Sequence, residues 1–351
     1  MASQTHRRVV LATDYRGGFQ SKMANLDQFC SLDLPALVRI FGDLGCAATI
    51  VPLNRIPFED RTRPVLFTSS EDRNGLYKAF VESIAMGLEA SGGIALPRAE
   101  LIKAHHNKVL MEMLKTTLSL GDPVFRTQYF GTLEDLATFV DDGVWPKVLK
   151  PSYGSGSSGV SLVRSRADLH RRARRIARSF TPRATASELK ARAVRKDYVR
   201  RSLHRRGFIV QEFLKDISAE YKVLVFGTKY YVVQRMLRPG EFRSSAMSLR
   251  LDFNPEFDQT LASVLDFAHH CYGRLDSPCL SLDVVVQAGR PQLLEFQCLT
   301  FGPVAAEKSE QYYVREDGGW RAIVQPCDLE RTFADAVLHY LDVNPRRGAP
   351  P

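Results

Sequence analysis

The sequence has no run of 18 apolar residues, so no membrane-spanning helix is expected. Its opening residues, MASQTHRR, lead straight into a strand-like run without the apolar core of a secretory signal. A cytoplasmic protein with no membrane attachment is therefore predicted. Cysteine is scarce, six residues at 30, 46, 271, 279, 298 and 327. None forms C-x-x-C, and no histidine stands at a zinc-ligand spacing from them, which excludes the common zinc and dithiol motifs. Buried structural thiols are expected at all six. Neither H-R-D nor D-F-G occurs, which excludes a protein kinase.

What is present is a chain of 351 residues, 44% hydrophobic, long enough for two or three domains. The net charge of +9 is local. Between Arg164 and Arg206, sixteen Lys/Arg face only Asp168, Glu188 and Asp197, a segmental +13 that leaves −4 elsewhere. Residues 1 to about 100 alternate strands (8–13, 47–53, 64–68) with helices (34–44, 75–90), the pattern of a parallel sheet. Further helices are predicted over 99–118, 133–140, 257–272 and 328–341, and two across 164–206.

The most informative stretch is 147–163, KVLKPSYGSGSSGVSLV. It reads as strand, glycine-rich loop, strand. Gly154, Gly156 and Gly159 allow positive φ or close backbone approach. Ser152, Ser155, Ser157 and Ser158 add hydroxyl donors, and Lys150 precedes the loop. Such a loop suits polyphosphate oxygens. The spacing is also G-x-G-x-x-G, but a dinucleotide loop opens a helix, whereas 160–163 alternates like a strand. A flexible hairpin tip is the plain alternative.

A second signal lies 130 residues on. Runs 282–286 and 292–297 flank turn chemistry at 288–291. If Asp283 faces Glu295, the loop is Ala288-Gly289-Arg290. Alternation then puts Asp283, Glu295 and Gln297 on one face, a hard-oxygen set suited to Mg²⁺ or Mn²⁺. An ordinary hairpin with acids on its wet side is the alternative.

Lysine, glycine loop, then D-x(11)-E-x-Q resembles the ATP-grasp superfamily of carboxylate–amine and carboxylate–thiol ligases, over residues 100 to 303. The resemblance implies an α/β chain with an α+β lid. It would comprise an N-terminal parallel-sheet domain (1–105), a small lid subdomain (106–210) and a C-terminal antiparallel-sheet catalytic domain (211–345), with 346–351 a disordered tail. It implies ATP held by Lys108, Lys150, the loop 152–159, the hinge strand ending Gln211-Glu212-Phe213-Leu214, and Glu220 near the ribose. It assigns the metal to Asp283, Glu295 and Gln297. Two departures stand out. The family's third ligand is usually Asn, one methylene shorter than Gln297. Ser281 stands where some ligases carry an arginine near the transferred phosphate, which leaves that catalytic role to Arg235 or Arg243. The implied activity joins a carboxylate to an amine through an acyl phosphate, on amino-acid-like substrates, in a protein that often dimerises. A kinase acting on a small hydroxyl compound and a non-catalytic ATP-binding protein are the alternatives.

Two polar loops at strand carboxyl ends, 14–22 and 69–73, offer Arg16, Ser69, Ser70 and Arg73 for a substrate carboxylate or zwitterion; helix capping and surface charge are the alternative. The arginine-rich segment reads as a solvated lid face, a dock for an acidic carrier protein, or a tRNA-binding surface. Its aromatics, Phe180 and Tyr198, are too sparse for single-strand stacking.

Overall fold

The computed structural model describes residues 7–25, 28–69, 75–121, 126–154, 159–237 and 248–344. The chain forms two compact units, His106–Asp216 and the two flanking segments together. The tail, and the 238–247, 155–158 and 70–74 segments of the sites expected above, lie outside the described residues.

The first part of the flanking unit is a parallel sheet in the order β4 (Cys46–Pro52), β1 (Arg7–Thr13), β5 (Val65–Leu66), β6 (Ala95–Leu96). Val9 to Ala12 are fully buried, as a strand covered on both faces requires. A ribbon of β2 (Lys22–Asn25) and β3 (Gln28–Cys30) follows β1. Helix α1 (Leu34–Asp43) is capped by Asp33, which accepts from the Ala36 amide, and ends before Gly45 at φ 74°. Helix α2 (Leu76–Ala90) buries Val81, Ala85 and Leu88. Leu76 and Phe80 are exposed, so the buried face turns away from them.

The expected helix 99–118 is two helices, α3 (Ala99–Ala104) and α4 (Lys108–Thr117). His106 takes φ 59°, and Asn107 caps α4 by accepting from the Leu110 amide. In the central unit an antiparallel sheet runs β7 (Thr127–Phe130), β10 (Phe208–Glu212), β8 (Lys147–Pro151), β9 (Ser161–Val163). The expected helix 133–140 is a 3-10 turn over Glu134–Thr138. Helix α5 (Arg166–Ile176) packs Leu169 and Ala173 inward as its spacing predicts. Helix α6 (Pro182–Val194) does not bury Leu189 or Val194; its buried residue is Glu188.

The remaining sheet has the order β15 (Arg290–Gln297), β14 (Cys279–Gln287), β11 (Ala219–Phe226), β12 (Lys229–Leu237), β16 (Gln311–Glu316), β17 (Gly319–Val324), with β13 (Ser248–Asp252) also on β12. Helix α7 (Gln259–Arg274) packs Leu261, Val264, Leu265 and Ala268 inward, as expected. The short α8 (Val304–Lys308) and closing α9 (Leu329–Val343) complete the unit. Phe333, Val337 and Tyr340 of α9 share one apolar core with Leu37 and Phe41 of α1 and with Leu224 and Phe226 of β11. That core fixes the N-terminal sheet against the antiparallel one. Cys46, Cys271, Cys279 and Cys298 are buried thiols; Cys30 is exposed and Cys327 half-buried, against the expectation for those two. Among the described residues, no helix is long and apolar enough to cross a membrane.

Candidate functional site

The β14–β15 hairpin pairs Asp283 with Glu295 and Ser281 with Gln297. Asp283, Glu295 and Gln297 therefore share a face, as alternation predicts. The turn itself is shorter than expected. Gln287 pairs with Arg290 across Ala288 and Gly289, at φ 48° and 75°, and a register shift after Asp283 absorbs the extra residue. On the opposite face Leu282 and Phe296 are buried, which locks the register.

Adjacent strands add charges to the same face. Lys222 of β11 lies opposite Asp283, with Nζ 3.0 Å from Oδ1. Glu220, two residues earlier, faces Arg235 of β12 at 2.6 Å. Arg235 also lies 4.0 Å from Asp283 Oδ1. Glu220 is almost fully buried, and burial together with the Asp283 charge pushes its carboxyl up to about 7, against Arg235 and Lys222. Sequence reading missed Lys222. Its i+2 spacing from Glu220 was visible, but its pairing with Asp283, 61 residues away, is tertiary. Among the described residues no cluster of three His, Cys, Asp or Glu exists. The hairpin instead offers two carboxylates and an amide oxygen, donors that fit a hard divalent cation. Beside them the Ser281 hydroxyl is buried with no hydrogen-bond partner among the described residues.

In the central unit, β8 and β9 flank the glycine-rich loop as predicted. Ser155, Gly156, Ser157 and Ser158 lie outside the described residues. Gly159 has φ 74°, and a Cβ there would sit 3.0 Å from the Pro151 ring, so any other residue would be strained there. Lys108, the first residue of α4, is buried; its backbone N–H donates to the Ser152 carbonyl and its ammonium to the Gly154 carbonyl. Lys150 lies opposite Ile209, and Gln211 opposite Val148, so both side chains share a sheet face. Gln211 donates to Thr127 Oγ1 at 3.0 Å, while its Oε1 is buried with no partner among the described residues. Glu212, Phe213 and Leu214 follow, half-buried.

Near the N terminus, Arg16 and Ser69 do lie beyond the carboxyl ends of β1 and β5. Arg16 is engaged, however. Its Nε and Nη2 donate to Asp14 Oδ2 at 2.9 and 2.7 Å, and this bond raises its pKa. The Ser69 amide donates to Thr300 Oγ1 at 3.3 Å, and the Gln20 amide to Thr68 Oγ1 at 2.9 Å. The segment leaving the acidic hairpin thus meets the carboxyl ends of the parallel strands. Ser70, Arg73 and Arg243 lie outside the described residues.

No family model matches the sequence, and no curated protein matches it. Solved structures do. The chain is similar to the D-cycloserine synthetase DcsG, at 15% identity and TM-score 0.53, over 95% of this chain and 99% of that one. It is also similar to the D-alanine–D-alanine ligase of Bacillus anthracis complexed with ATP, at 13% identity and TM-score 0.50, over 97% of this chain and all of that one. The fold is the ATP-grasp fold.

Proposed function

We propose that this ATP-grasp chain is an ATP-dependent ligase that joins a carboxylate to an amine and releases ADP and phosphate. The observation that carries the reading is the hairpin face of Asp283, Glu295 and Gln297, in the register the motif demands, on a fold shared with a ligase that binds ATP. On this reading the three side chains hold Mg²⁺, which when bound offsets phosphate charge. Lys150, Lys108 and the glycine loop hold the triphosphate, and Gln211 to Leu214 line the adenine. The substrate carboxylate attacks the γ-phosphorus, giving an acyl phosphate and ADP. The amine then attacks the acyl carbon and phosphate leaves. Arg235 balances negative charge on the sheet face as it develops. Lys222 holds the Asp283 carboxylate in place. Position and charge carry the rate, since the protein forms no covalent bond itself.

Arg16, positioned by Asp14, and Ser69 hold the amino-acid-like substrates at the carboxyl ends of β1 and β5, with Ser70 and Arg73 as further candidates. Arg243 is a second candidate for the acyl phosphate. The test is ADP release with amino acids and small acids supplied in pairs, with Mg-ATP throughout, followed by product mass. An amide weighs the two substrates less one water. A product heavier by one phosphoryl group would instead establish a kinase, and absence of Mg-ATP binding by calorimetry would leave neither reading.

A further inference from the structure

The central unit carries a charged surface that nucleotide chemistry does not use. The two acids within 164–206 that lie deepest are already committed. Asp168 binds Arg171 and Arg172 at 2.7 and 2.9 Å. Glu188 accepts from Tyr198 Oη at 2.6 Å and from the Arg201 amide at 3.0 Å. Among the described residues, exposed Arg166, Arg174, Arg175, Arg183, Arg192 and Arg195 form no ion pair. Aliphatic side chains stand among these cations. Leu189 is 59% exposed, Val194 73% and Val199 85%. The same unit has a groove of about 470 Å³ between the 3-10 turn and α5, floored by Leu133, Leu136, Phe139 and Leu169 and edged by Arg166 and His170. The Ser202 hydroxyl donates to Glu134 on the same groove at 2.6 Å, tying the segment after α6 to its rim.

We propose that this face docks an acidic polypeptide segment bearing aliphatic or aromatic anchors. The anchors fill the groove and cover the exposed aliphatics, while flanking carboxylates meet the unpaired arginines. Charge complementarity selects an anionic partner. The apolar floor selects a polypeptide over a nucleic acid, whose affinity rests on phosphates. Both aromatics that could stack a base are occupied: Arg178 lies 4.4 Å over Phe180, and Tyr198 holds Glu188. A membrane surface fits poorly too. Leu189 and Val194 are five residues apart, roughly 140° around the helix, so α6 has no single apolar stripe to lay on lipid.

The test uses the full chain without nucleotide, so it stands apart from the ligase reading. Fluorescence anisotropy at about 150 mM salt compares a fluorescent glutamate/leucine peptide with a glutamate/serine peptide of equal charge and with single-stranded and duplex RNA. The glutamate/leucine peptide is expected to bind about tenfold or more tightly than the serine peptide. The charge reversal Arg166→Glu/Arg174→Glu/Arg175→Glu should weaken it about tenfold or more. Ala137→Glu, an exposed groove-edge change away from the core, should also weaken it. Equal binding of the two peptides would reduce the surface to a general polyanion attraction. Tighter RNA binding, or variants within twofold of wild type, would overturn the proposal.

Discussion

Two regions of this molecule are rich in cations, and they handle them in opposite ways. On the β11–β12–β14–β15 face each cation meets a carboxylate across a strand pair: Arg235 with Glu220, Lys222 with Asp283. The groups are buried or half-buried, so an unmatched charge there costs several kcal/mol. Across residues 164–206 the cations outnumber the acids by thirteen and most stay in water, where an unmatched charge costs little. Matching therefore marks the place where dielectric makes charge expensive, and the surplus marks the place where charge stays hydrated.

The strongest way to break this comparison is to remove an acid from the matched face. On the proposed ligase reading, Glu295→Ala is expected to lower substrate-dependent ADP release by at least about a thousandfold, since a lost metal ligand would remove charge stabilisation directly. Wild-type ADP release would detach the hairpin from catalysis. Next in size is the buried pair. Arg235→Leu removes the buried ion pair with Glu220 and should destabilise the chain by about 3 kcal/mol in urea unfolding, whereas the double variant Arg235→Leu/Glu220→Leu should recover most of that loss. If the double variant is no more stable than the single one, Arg235 contributes by packing rather than by charge. The Ser281 hydroxyl gives a finer probe. Ser281→Ala leaves no unpaired group behind and should keep or slightly raise stability; a large fall in ADP release with unchanged unfolding would place that hydroxyl on a reacting phosphate.

The same contrast governs what could be read from the sequence. The hairpin face was legible, because strand alternation is local; the two-residue turn was not, because a register shift after Asp283 lets Arg290 pair with Gln287. The glycine loop's flanking strands were legible from the same alternation. Lys222 was not, because its partner is set by which strand lies beside β11. Helix α2 shows another limit. Leu76, Phe80, Ile84 and Leu88 repeat at i, i+4, yet only Leu88 of these is buried, beside Val81 and Ala85, since the neighbouring elements choose the face. The break between α3 and α4 has no glycine or proline to announce it. Its only local sign is Asn107, a capping residue that could as well sit on a helix surface. On α6 the helix was legible, but Leu189 and Val194 stay exposed and the buried residue is Glu188.

The smallest expected effect sharpens the solvent side of the comparison. Asp168 is held to a pKa of about 2, first by its hydrogen bond to Arg171 and then, against the opposing cost of burial, by Arg172 and the Arg164 amide. A folded-state pKa below the unfolded value gives stability that is full above about 4 and is lost as the pH falls toward 2. Because the pair lies near the surface, screening limits it to about 1 kcal/mol or less. Asp168→Asn should therefore be less stable than wild type by about that amount at pH 6, with the gap closing between pH 4 and 2 and shrinking in roughly 1 M salt. Arg235→Leu, on the buried face, should keep its deficit in the same salt. Equal salt sensitivity of the two variants would mean that both regions see the same dielectric, and the distinction between matched and surplus charge would have to be drawn from geometry alone.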